Sequence, residues 1–140
     1  MDNKFTQIAK IKKQEMDKVE TELIQTRFER ENIKKKLESL YEEIKNTTSP
    51  KRGQASLISM FHEHLKILRR EKDDYADALN FLNVKVEQLQ HKYKKAHMEF
   101  EKIKYLEEEE IKKRINEIKR KEKINMDEIA TMLFSSVRGV

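Results

Sequence analysis

The chain has no cysteine, no tryptophan, one proline and two glycines among 140 residues. Each shortage excludes something. Without thiols there is no disulfide, no thiolate metal site and no cysteine nucleophile, and an intracellular location is the easier expectation. With so few helix breakers the chain has one clear place to turn, Asn46 to Gly53, which holds Pro50 and Gly53. No apolar run approaches the roughly 18–20 residues that span a bilayer, so direct bilayer insertion is not expected. The opening MDNKFTQIAKIKK lacks the apolar core of a signal peptide. Glycine-rich phosphate loops are absent.

Charge is abundant instead: 41% of residues are Asp, Glu, Lys or Arg. Such a composition suits long solvated helices, which bury a narrow strip, better than a globular interior. The net charge of +5 is unevenly placed: residues 111–140 carry eight basic against four acidic side chains, while residues 1–46 are nearly balanced at eleven against ten. That balance is too weak to identify a nucleic-acid partner.

Periodicity supplies the architecture. From Ile58 to Ile103 the heptad positions a are Ile58, Leu65, Lys72, Leu79, Val86, Tyr93 and Phe100, and positions d are Phe61, Leu68, Tyr75, Leu82, Leu89, Ala96 and Ile103. Only Lys72 interrupts this apolar seam, the mark of a helix packed knobs-into-holes against another. A weaker seam precedes it: Phe5, Ala9, Lys12, Met16, Val19, Leu23, Thr26, Arg30, Ile33, Leu37, Leu40 and Ile44. The expected fold is therefore all-α, a two-helix antiparallel coiled-coil hairpin with a longer C-terminal helix. It forms one rod over 1–140: helix 4–46, turn 47–53, helix 54–134 and frayed tail 135–140. Ser49 or Ser56 is the expected cap of the second helix. At about 1.5 Å per residue the helices are about 65 and 120 Å long. Folding about residue 50 pairs residue i with roughly 101 − i, so that Ile44 meets Leu57 and Phe5 meets Ala96. Beyond Ile103 the seam breaks at Glu107–Glu110, and a weaker row follows at Ile111, Ile115, Ile118, Ile129 and Met132. Asn125-Met-Asp-Glu128 has the form of a capping box, which would place a kink or restart there.

Catalysis finds no footing. In His62-Glu63-His64 the histidines are two apart and point to opposite sides of a helix, and the metalloprotease spacing would need a histidine at Lys66. Glu87 and His91 share a face but form a lone pair of ligands. The expectation is no enzyme, no metal and no cofactor. The basic run Lys112–Lys123 reads as a solvated face, because no zipper follows it as a basic-region DNA-binding helix requires. No nucleic acid is expected; a basic coiled-coil scaffold or a nucleic-acid-associated protein is the alternative reading. Exposed apolar positions are more informative. Met60, Ile67 and Phe81 fall on the outer c positions, Ile24, Phe28 and Tyr41 lie off the first seam, and Met126, Ile129, Met132, Leu133 and Phe134 make a sticky C-terminal end.

Phe5 leading a Lys/Glu-rich heptad helix, the polar turn near residue 50, Phe61-His-Glu-His-Leu65, and the closing Asn125-Met-Asp-Glu-Ile-Ala130 together resemble the bacterial flagellar export protein FliJ family over nearly the whole length. The resemblance implies a non-enzymatic stalk of the flagellar type III export apparatus, similar to the coiled coil of the rotary ATPase gamma subunit. It implies three partners: the hexameric flagellar export ATPase, the cytoplasmic domain of the membrane export gate protein, and export chaperones. It also implies a cytoplasmic location, peripheral at the cytoplasmic face of the inner membrane. Carried onto this sequence, ATPase-ring binding falls to Met126, Asp127, Glu128, Ile129, Met132, Leu133 and Phe134. Gate binding falls to Tyr41, Phe61, His64, Leu68 and Tyr75.

Overall fold

The computed structural model describes residues 2–138. It is all-α, a helical hairpin of α1 (Thr6–Asn46) and α2 (Ala55–Arg138). Contacts divide the chain into a terminal unit, residues 1–16 with 96–140, and a middle unit, residues 17–95.

In the middle unit the two helix segments bury the heptad seam. Val19, Leu23, Leu37 and Leu40 of α1 and Leu68, Leu82, Val86 and Leu89 of α2 are buried. At its centre Leu23, Val86 and Leu89 form a cluster with Tyr93 packed against it. Burying such a side chain is worth about 1.5–3 kcal/mol, which is where a thin hairpin finds its stability. Thr26 sits in this seam at 3% exposure, and its Oγ1 donates to the Glu22 carbonyl at 2.8 Å. Its hydroxyl is thus satisfied inside its own helix, so a polar seam position leaves no orphaned group. Lys72, the one break in the α2 row, reaches out of the seam and lies 5.8 Å from the Tyr41 ring centroid, while Lys36 of α1 lies 5.9 Å from that of Tyr75. The two aromatic rings thus receive one cation each from the opposite helix.

Helix ends differ from the sequence expectation in instructive ways. α1 stops at Asn46, where Thr47 closes it: its amide donates to the Glu43 carbonyl at 3.0 Å and its Oγ1 donates to the same oxygen at 2.6 Å. Neither Ser49 nor Ser56 caps α2. The carbonyl of Gln54 accepts from Leu57 at 2.9 Å, and the helix starts at Ala55. A helix begun at Pro50 would run through Lys51, Arg52 and Gly53, all exposed, with no apolar burial to offset the roughly 1 kcal/mol glycine cost. At the other end α2 continues through Asn125–Glu128 without a restart and reaches Arg138; residues 139 and 140 of the expected frayed tail lie outside the described residues.

The pairing register is also corrected. Lys12 meets Glu99, Asn3 meets Glu107 and Lys36 meets Tyr75, so residue i faces roughly 111 − i rather than 101 − i. The cause is the connection. Residues 47–54 are non-helical and every residue from 51 to 60 is exposed, so α1 does not cover the first turns of α2 and the chain folds back nearer residue 55. Phe5 consequently lies beside Leu106, Glu109 and Glu110 instead of Ala96.

That shift makes the terminal unit longer than the apolar seam. Leu106, Glu107, Glu110, Ile111 and Arg114 are half-buried, so the 3–4 spacing continues through Glu107, Glu110 and Arg114 although the apolar chemistry stops at Ile103. Polar contacts replace it. Asn3 Oδ1 accepts from the Phe5 amide at 2.8 Å, and the Asn3 amide donates to Thr6 Oγ1 at 3.0 Å, a reciprocal cap of α1. The same side chain donates from Nδ2 to the Glu107 carbonyl at 3.2 Å, and Arg114 Nη1 donates to the Asp2 carbonyl at 2.9 Å. Replacing Asn3 by Ala removes cap and tie together. A loss of about 1–2 kcal/mol is expected, read as faster amide exchange at Phe5 and Thr6 with no change at Leu23.

Lys12 occupies a seam position yet is paired, its Nζ lying 3.4 Å from Glu99 and 3.6 Å from Glu15. The hydrogen bond to Glu99, then the charges of Glu15 and Glu99, raise its pKa above the ordinary 10.5. A raised lysine pKa stabilises the fold in full below the unfolded-state value, and that contribution is lost as pH rises through the folded-state value. The stability difference between the wild type and Glu99→Gln should therefore stay constant from neutral pH up to 10.5 and shrink only above it, measured by urea unfolding from neutral to alkaline pH. A difference already fading at neutral pH would rule this out.

Candidate docking surfaces

Coverage by the N-terminal segment before α1 ends at Arg114, which donates to the Asp2 carbonyl, and every residue from 115 to 137 is exposed. Of the residues to which the resemblance assigns ring binding, Met126 and Met132 are each 70% exposed, and Ile129, Leu133 and Phe134 are exposed with them. Asp127 and Glu128 line a shallow groove with Ile124, Thr131 and Met132 on one side of the same helix. Thr131 Oγ1 donates to the Asp127 carbonyl at 2.8 Å, which keeps its hydroxyl within the helix. All seven ring-binding candidates therefore stand together on an uncovered stretch of α2. That stretch begins after Arg114, about eleven residues or 16 Å beyond Ile103, where the apolar seam stops.

The gate candidates are less uniform. Tyr41 and His64 are exposed, Phe61 and Tyr75 are half-buried, and Leu68 is buried at 5% exposure. The Phe61 ring stands edge-on to His62, with centroids 5.3 Å apart. Tyr41 and Tyr75 are held by the two lysine contacts described above, so this face is ordered by the seam beneath it. Leu68 lies in that seam. The outer positions Met60, Ile67 and Phe81 are exposed, at 67%, 50% and 69%, as are Ile24 and Phe28 on α1.

Among the described residues no group of three His, Asp or Glu side chains is placed to hold a metal ion, and no helix is long and apolar enough to cross a membrane. The surfaces offered by this chain are apolar and charged strips along helices, suited to other macromolecules.

Two kinds of comparison with known proteins return nothing: no curated protein and no solved structure matches the chain. The model of one family, described as Flagellar FliJ protein, matches residues 1–139.

Proposed function

The chain belongs to the FliJ family, a component of flagellar protein export, and from that premise we propose that it is a non-enzymatic stalk coupling the hexameric export ATPase to the membrane export gate. The observation that carries this reading is the uncovered end of α2. Residues 115–137 are exposed throughout, yet they include Met126, Ile129, Met132, Leu133 and Phe134. A surface helix ordinarily shows an apolar stripe about 100° wide. At about 100° of rotation per residue, Met126, Ile129, Met132, Leu133, Phe134 and Val137 span about 200°. Side chains spread that far round a helix fit a socket that encloses it better than a flat surface. A ring pore is such a socket, and Met126 to Phe134 are the residues assigned to it.

The gate face is assigned to Tyr41, Phe61, His64 and Tyr75, with Leu68 holding α2 against α1 beneath them. Export chaperones are the third class of partner in this reading, and the location follows from the gate: the cytoplasmic face of the inner membrane, reached through protein contacts. The test is direct. Purified chain added to the cognate export ATPase should promote hexamer formation and raise turnover. An ATPase that neither binds the chain nor changes its assembly or turnover removes the stalk reading.

A further inference from the structure

The same uncovered helix has a second property that ring binding does not use. Its row Ile115, Ile118, Glu122, Asn125, Ile129 and Met132 keeps the alternating 3–4 spacing of a coiled-coil seam, and all six side chains are exposed. Charge is segregated along it. Residues 112–123 hold seven cations against Glu117 and Glu122, while residues 124–137 hold Asp127 and Glu128 and no cation. A parallel partner would set like halves against each other. An antiparallel copy sets the basic half against the acidic one.

We propose that two copies of the chain pair through residues 115–132 of α2, antiparallel and two-fold symmetric. Antiparallel seams match a positions with d positions of the partner. With the axis between residues 123 and 124, Ile115 meets Met132 of the second copy and Ile118 meets its Ile129, each twice by symmetry. Glu122 meets Asn125 at the centre, where a carboxylate can accept from a carboxamide. On one flank Lys121 faces Glu128 of the second copy, again twice. On the other flank the aliphatic stem of Lys119 faces Met126. No other pairing of this row places all four apolar positions against apolar positions while uniting the two polar ones: in a parallel dimer Glu122 would face Glu122. The pairing covers Met126, Ile129 and Met132, so a paired chain withholds its end from any socket. It stands whether or not that socket is an ATPase ring, because it requires only this chain.

Sedimentation equilibrium of the full-length chain over a concentration series tests it. The wild type should show a monomer–dimer equilibrium. Because each reversal acts at two symmetric sites, Lys121→Glu alone and Glu128→Lys alone should each weaken dimerisation by about tenfold or more. The double variant, which restores both contacts with signs exchanged, should recover it. The lack of native cysteine allows a register test as well. An oxidised equimolar mixture of Glu122→Cys and Asn125→Cys chains should give mostly the mixed disulfide. A wild type that stays monomeric, a charge swap that does not rescue, or equal yields of mixed and like-with-like disulfides would overturn the pairing. So would a dimer unaffected by Ile118→Asp, which alters no proposed ring contact. If anionic vesicles bind the chain and Lys121→Glu and Glu128→Lys shift that binding in opposite directions while the chain remains monomeric, the strip serves a lipid surface and the pairing is wrong.

Discussion

Replacing Leu23 by Ala lowers the stability of the middle unit by about 2–4 kcal/mol, the usual range for an aliphatic side chain cut back inside a packed core. Replacing Phe28 by Ala, five positions along the same helix, changes it by no more than about 0.5 kcal/mol. The contrast follows from position alone. Leu23 is 5% exposed and lies against Val86 and Leu89, whereas Phe28 is 69% exposed. A two-helix seam has no second layer that could collapse into the space left by Leu23, so the full cavity term should be felt. Far-UV circular dichroism during urea unfolding measures both variants, and Val86→Ala, at the most buried position of the cluster, should resemble Leu23→Ala. Equal, small shifts for Leu23→Ala and Phe28→Ala would mean that the seam is not what holds the helices together.

That contrast was readable from the heptads. All twelve seam positions assigned to α1, Phe5 to Ile44, are buried or half-buried, polar Lys12, Thr26 and Arg30 included. On α2 the row from Phe61 to Ile103 is likewise covered, and only Ile58 is exposed. Periodicity reports which face is covered, because a side chain's direction follows from its place in the turn. It does not report which residue covers it. Heptads repeat, so a hairpin slipped along its length satisfies the same pattern, and the choice is made by the connection. A fold-back centred on Pro50 assumed that α1 covers α2 from its first turn; the observed non-helical segment, residues 47–54, is nearly as long as expected, yet it leaves Leu57 and Ile58 uncovered. The polar continuation of the interface was hidden for a related reason. Glu107, Glu110 and Arg114 carry no apolar signal, and what covers them is an N-terminal cap whose Asn3 and Asp2 groups bond to α2. Hydrogen bonds of this kind depend on distance across the hairpin, which no local pattern contains.

Under the proposed stalk function, the end of α2 carries the largest expected effect. In the double variant Ile129→Asp with Leu133→Asp, binding to the hexameric ATPase should fall by at least about a hundredfold, and stimulation of turnover should vanish. Each apolar side chain taken from water into a socket is worth about 1.5–3 kcal/mol. Two of them account for at least about 3 kcal/mol, and a hundredfold change in affinity corresponds to about 2.7 kcal/mol. Buried aspartates add their own desolvation cost. The dilute, monomeric chain should not register the change, because both positions are exposed, at 56% and 63%, and lie on a part of α2 that α1 does not cover. Helicity and urea midpoint should therefore match the wild type, which separates a lost contact from a lost fold. Phe81→Asp is the control, since Phe81 is equally exposed but belongs to the middle unit, and ring binding should persist in it. Self-pairing supplies the opposing case. Lys121→Glu frees the apolar end from a second copy without altering Ile129 or Leu133, so it should raise the concentration of competent chain and speed ring association. If the Ile129/Leu133 variant still stimulates the ATPase as the wild type does, the end of α2 does not enter the ring, and the stalk must engage it through another surface.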